Sequence, residues 1–225
     1  MWDLAQAKLL KRIGTRKISD SVHALAFLKG DRFLAVGEGT PRQSGAVRIL
    51  STTTGRQTQR FEEPKDVIYA LALSPDGNLL AAGGADNGVY VWDLGENKKP
   101  TAIKEHGDWV LSASFSPDGK FLATGSADKT VRVREVGTTR PVVRIQQSDT
   151  VQGLDFSPDG QLLAVAVAGN NENAIRFHVT SSTWGGISTS TTKTVLINRL
   201  TGRPRPRSIG VVNDREQSTL ERLKE

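Results

Sequence analysis

No cysteine occurs in these 225 residues, which excludes disulfides, thiolate metal ligands and a Cys nucleophile and gives no sign of an oxidising compartment. Long apolar runs are missing too. Nothing approaches the roughly 20 residues of a membrane span, and the first 30 residues lack the apolar centre of a secretory signal. The expectation is a cytoplasmic protein without a membrane. Aromatics make up only 6% of the chain and nowhere alternate with Lys or Arg, so the body of the chain carries no stacking platform for single-stranded nucleic acid. Enzyme signatures are also missing: there is no phosphate-cradling Gly-rich loop between strand and helix, no Gly-x-Ser-x-Gly elbow and no His pair at i and i+4. His23, His106 and His178 lie far apart with no second ligand at metal spacing. The sequence therefore points to no metal, no cofactor and no small-molecule substrate.

What is present is a repeat. Four segments align: "LAFLKGDRFLAVGEG" from Leu25, "LALSPDGNLLAAGGA" from Leu71, "ASFSPDGKFLATGSA" from Ala113 and "LDFSPDGQLLAVAVA" from Leu154. Measured at Phe27, Leu73, Phe115 and Phe156, the spacings are 46, 42 and 41 residues. That period suits one four-stranded propeller blade per repeat. Each repeat adds a second alternating run, "AVRIL", "VYVW", "VRVR" and "AIRFH", which reads as a strand. Three Ser-Pro-Asp-Gly copies, at Ser74, Ser116 and Ser157, supply the reversals. Pro presets φ, Asp can bond its own backbone, and Gly accepts the left-handed exit.

With these turns, "HGDWV" at His106, "TGSADKTVRVRE" at Thr124, "GGADNGVYVWD" at Gly83 and the pairs Trp2-Asp3 and Trp92-Asp93, the first 180 or so residues resemble the WD-repeat β-propeller family. The resemblance implies an all-β propeller of four-stranded antiparallel blades, strands a to d, with a innermost. About four to five blades are expected, in an incomplete or open set. It also implies a polar brace of His, Ser or Thr, Asp and Trp within a blade. The third full repeat offers His106, Thr124 and Asp128 but has Arg134 in the Trp position, and the second has Asp86 and Trp92 but no His. The expectation is blades held mainly by apolar contact between neighbours and a modest stability. For His106 a brace is favoured over a proton-transfer role.

The chain divides into residues 1–17, the c and d strands of an incomplete first blade; 18–180, the WD-repeat blades; 181–202, a Ser/Thr-rich loop with a candidate extra strand; and 203–225, a basic tail with a candidate helix from Asp214 to Glu225. The a and b strands that would complete the opening blade come from the C-terminal stretch, another chain or a longer parent. The first source requires Trp184 to Leu200 to pair with Trp2 to Ile13.

Loop length varies on the side of the b to c turns, where binding faces of repeat proteins concentrate. There we place Arg42, Lys65, Asp86, Asn87, Asp108, Trp109, Lys129 and Asn171 as partner-contacting residues, each with solvated loop as the plain alternative. Trp109 is either an interface anchor or a plug for its inner strand, burial being the commoner fate of large aromatics. Of the net charge of +6, +4 falls from Lys193 onward. In "RPRPR", alternating Pro favours an extended row of Arg203, Arg205 and Arg207 that could meet an anionic partner. A merely solvating tail is the alternative. The expected function is a non-catalytic scaffold that docks other proteins or further blades, a second copy included. A nucleic-acid or ribonucleoprotein role through the tail is the other reading, and carboxylates gathered in a central channel are the catalytic one.

Overall fold

The computed structural model describes residues 2–3, 7–9, 20–28, 30–96, 98–138, 141–169, 173–179 and 192–196. These form strands joined by turns; among them no helix is long and apolar enough to cross a membrane. A short ribbon pairs β1 (Trp2–Asp3) with β2 (Lys8–Leu9). The first four-stranded sheet holds β3 (Ser21–Leu28), β4 (Phe33–Thr40), β5 (Ser44–Ser51) and β6 (Gln57–Phe61). In the second are β7 (Ile68–Leu73), β8 (Leu79–Gly84), β9 (Val89–Asp93) and β10 (Thr101–Ile103). The third contains β11 (Val110–Phe115), β12 (Phe121–Ser126), β13 (Thr130–Glu135) and β14 (Pro141–Gln146). The fourth contains β15 (Val151–Phe156), β16 (Leu162–Ala168), β17 (Asn173–Val179) and β18 (Thr192–Leu196). Each is an antiparallel meander in chain order, so the four sheets are propeller blades of the kind the repeat implies.

β18 pairs with β17. The stretch around Thr194 is thus the outer strand of the fourth sheet, and the N-terminal ribbon pairs only within itself among the described residues. The candidate helix Asp214 to Glu225 and the whole of 203–225 lie outside the described residues.

The Ser-Pro-Asp-Gly turns are built alike three times. Gly77, Gly119 and Gly160 have φ of 74°, 72° and 69°, and their amides donate to the carbonyls of Ser74, Ser116 and Ser157 at 2.8 Å. Each Ser hydroxyl meets the turn's own Asp, as Ser116 Oγ meets Asp118 Oδ1 at 2.6 Å, and accepts from the amide that opens the next strand, as from Phe121 N at 3.0 Å. These carboxylates are consumed by the turns.

The inner strands β3, β7, β11 and β15 lie side by side in that order. Between successive sheets sit three apolar clusters: Ala35, Val47 and Ile49 against Ile68, Leu80 and Trp92; Ala81 and Val89 against Val110 and Leu122; Ala123, Val131 and Val133 against Val151, Leu163 and Val165. A glycine at one repeat position sets how closely they approach. A Cβ on Gly37 would come 2.7 Å from Ile68 Cγ2, and on Gly83 or Gly125 it would come 2.4 Å from Val110 Cγ1 or Val151 Cγ1. These glycines are kept for close contact between blades. At one end of the row, Leu25 and Phe27 stand 60% and 52% exposed on β3.

Candidate functional site

Antiparallel meanders put the b to c turns and the d to a loops at the same end, and most of the predicted partner residues meet there. Asn87 and Lys129 occupy equivalent turn positions and Arg42 sits one position earlier in the turn of a longer hairpin; their φ values of 63°, 66° and 59° lie in the left-handed region that few side chains adopt outside turns. The turns are tied to the loops beside them. Arg42 N donates to Asp66 Oδ1 at 2.9 Å and Lys65 N to Asp86 Oδ2 at 3.2 Å, while Lys129 Nζ lies 3.4 Å from Asp149 Oδ1 on the loop that leads into the fourth sheet. Asp108 accepts from Trp109 N at 2.8 Å. Thus Arg42, Lys65, Asp86 and Lys129 also hold the face together, a role the sequence reading assigned among them only to Asp86, as a brace residue. Asn171, Arg203, Arg205 and Arg207 lie outside the described residues.

Rings cross this face. Trp109 is 48% exposed, so it does not plug the core; it tilts against Tyr69 with ring centroids 5.7 Å apart, and Tyr69 meets His23 edge-on at 5.4 Å. The run bridges three successive sheets. His23 and Tyr69 enter it through a bulge found at the same point of every inner strand, where pairing skips one residue: His23, Tyr69, Leu111 and Gln152. A bulge leaves one residue unpaired and re-aims its side chain. The slip in alternation, "VHALAF" and "IYALAL", was the signal that could have found His23 and Tyr69.

Below the face each sheet has its own polar tie. In the third, His106 Nδ1 is 3.0 Å from Asp128 Oδ2 and Nε2 is 2.8 Å from Thr124 Oγ1. A carboxylate only accepts, so Nδ1 carries the proton and Nε2 accepts from the Thr124 hydroxyl. Burial lowers the His106 pKa, with Asp128 opposing. Burial alone would raise that of Asp128, but donation from Thr130, Gly107 and His106 holds it at about 2. In the second sheet Pro64 stands where His106 does in the third, and Tyr90 Oη reaches Asp86 Oδ2 instead. Burial first, then Asp86, raises the Tyr90 pKa, so the phenol stays a donor. Trp92 Nε1 is left without a partner, since Ala82 stands where Thr124 does one sheet later. In the fourth, Gln147 contacts His178 at 3.3 Å and accepts from Arg176 at 2.7 Å. Apolar contact between neighbours is thus joined by a polar tie in each of these three sheets, none of them the complete four-residue brace.

The inner strands bring one carboxylate, Asp155, which accepts from Ser114 Oγ at 2.7 Å; no second one joins it for paired acid–base work among the described residues. No three His, Cys, Asp or Glu side chains gather as a metal site there either.

The family model "WD domain, G-beta repeat" matches residues 55–93 and 97–134, spanning the end of the first sheet, the second and most of the third. Among curated relatives, a guanine nucleotide-binding protein subunit beta of Solanum tuberosum is 31% identical over 98 residues, 41% of this chain and 25% of that protein. The small ribosomal subunit protein RACK1y of Oryza sativa subsp. japonica is 36% identical over 53 residues, 24% of this chain and 16% of that one. RACK1z of Arabidopsis thaliana is 53% identical over 32 residues, covering 14% and 10%. The chain thus spans a quarter or less of the length of these relatives.

Proposed function

Given that the chain is a WD-repeat protein, with its matched repeats at residues 55–93 and 97–134, we propose that it is a non-catalytic scaffold that docks partner proteins on the face formed by the b to c turns and d to a loops. The observation that carries this reading is the ring run His23, Tyr69 and Trp109, with Trp109 half exposed at its end. Exposed aromatics on a rigid support lose little rotamer freedom on binding and dominate interface energies. Arg42, Lys65, Asp108 and Lys129 ring the same face and would set orientation and partner choice through charge. The names of the relatives agree with assembly work, since each is called a subunit or a ribosomal subunit protein. We place the protein in the cytoplasm on the same reading.

The experiment is proximity capture of partners from cells with the full chain, repeated with Trp109→Ala and with Tyr69→Ala. Loss of the same partners from both variants, which remain folded, supports the face. Retention of every partner overturns it.

A further inference from the structure

A cleft of about 190 Å³ lies between the second and third sheets, toward their outer strands, where the preceding pair of sheets is filled by rings. The register makes the comparison direct. Phe61 opposes Val47 on the first sheet, and its ring stacks on Trp92 at 4.9 Å. One sheet later Ile103 opposes Val89 in the place of Phe61. Trp92 lies opposite Leu80 and Tyr90 opposite Ala82; their counterparts, opposite Leu122 and Thr124, are Arg134 and Arg132. Two rings have given way to guanidiniums and a third to Ile. The space left is floored by Val89, Ile103 and Leu122. A cavity of about 150 Å³ is enough for a benzene ring, so this cleft has room for one aromatic side chain.

Its charge is unbalanced. Arg132, Arg134 and Arg144 border the cleft, and Glu105 is the one carboxylate among its lining residues. Glu105 pairs with Arg134 and keeps 3.6 Å from Arg132 Nη1. Arg132 Nε is buried and has no hydrogen-bond partner. Arg132 also sits directly opposite the exposed Arg144 across β13 and β14, a like-charge cross-strand pair that is unfavourable until an anion neutralises it.

We propose that this cleft is a second docking site, separate from the aromatic face, for an extended acidic peptide segment of a partner protein. An aromatic side chain of the peptide enters the space that a Trp and a Phe fill one sheet earlier. A neighbouring carboxylate of the peptide accepts from Arg132 and Arg144. A phosphate alone would satisfy the guanidiniums but leave the apolar floor empty, so the combination of ring and carboxylate fits the lining better.

The test is calorimetric titration of the full chain with the capped tripeptide Ac-Glu-Phe-Glu-NH2. It is expected to bind, and Ac-Lys-Phe-Lys-NH2 and Ac-Glu-Ala-Glu-NH2 are each expected to bind at least about tenfold more weakly, the loss of one charge-assisted or ring contact. Arg134→Trp rebuilds the ring and abolishes binding. Should that variant not fold, the surface change Arg144→Glu decides alone, with at least about tenfold weakening expected. Trp109→Ala leaves tripeptide affinity unchanged, which separates this site from the aromatic face. The proposal is overturned if the acidic tripeptide does not bind, if the lysine version binds equally, if Arg144→Glu has no effect, or if Trp109→Ala removes binding. Displacement of the tripeptide by an equal concentration of a polyuridine oligonucleotide would reassign the cleft to nucleic acid and overturn it too.

Discussion

Tyr90 Oη lies 2.5 Å from Asp86 Oδ2, closing within one strand and its turn a tie that the next sheet makes from a separate loop, His106 to Asp128. The two sheets solve one problem, how to fix the turn before strand c, with different donors. Tyr90→Phe keeps the ring beside Trp92, 6.0 Å away and nearly parallel, and deletes only the hydroxyl. We expect a loss of about 1–2 kcal/mol in urea unfolding, the cost of removing one hydrogen bond to a charged acceptor. No change would mean that the amides of Gly88 and Lys65 already suffice for Asp86.

Acid should weaken the fold in two stages. His106 and His178 are both held below their ordinary value by burial, His178 also by Arg176. A histidine depressed in the folded state is protonated first in the unfolded chain, so stability falls as pH drops below about 6.5. Asp128, at about 2 against 3.8, contributes fully above about pH 4 and loses its share of about 1–2 kcal/mol as pH falls toward 2. Urea midpoints measured from pH 7.5 down to 2 should show both stages. Asp128→Asn should lower stability at neutral pH and remove the lower stage; a lower stage that persists would place it on other carboxylates.

Much of this was legible from residues alone. Three Ser-Pro-Asp-Gly turns in phase with alternating runs fixed the meander, and the Asp in each was correctly read as turn chemistry. His106, Thr124 and Asp128 form the partial brace their positions implied. Tyr90, Gln147 and His178 were not found: Gln147 and His178 occupy the repeat positions of His106 and Trp92 with other residue types, Tyr90 reaches Asp86 from its own strand, and only pairing register lines them up. The aromatic run was half visible: Trp109 stood out, but Tyr69 and His23 look like ordinary strand residues until a bulge turns them. The cleft was invisible, since an Arg in the place of a Trp reveals a space only when the facing Ile103 is known.

Trp109→Ala should separate folding from binding. A side chain 48% exposed contributes little to the core, so unfolding free energy should shift by less than about 1 kcal/mol. Partner affinity should fall at least about tenfold, as for an aromatic anchor. A large loss of stability with unchanged affinity would reverse the roles.

Two glycines of one sequence should behave oppositely. A Cβ on Gly45 would stand 1.9 Å from the carbonyl oxygen of Asp66, on the loop that leads into the second sheet, whereas one on Gly153 meets only the Cβ of Ala166 at 3.8 Å. Gly45→Ala should cost at least about 3 kcal/mol, because backbone cannot yield as a flexible side chain can. Gly153→Ala should be neutral or stabilise by about 0.5 kcal/mol, through the unfolded chain's lost freedom. Thermal unfolding of both variants decides, and equal effects would refute the close approach at Gly45.

Gly37, Gly83 and Gly125 let each inner strand sink a Val or Ile methyl nearly onto its neighbour's backbone. Ala166 holds the same repeat position in the fourth sheet, beside Ile175. One methyl there acts as a shim. A strand laid against that sheet, from whatever source, would have to stand off further than the three strands before it. Ala166→Gly would restore the common pitch, and a single CH3 thereby tunes how willingly the row is extended.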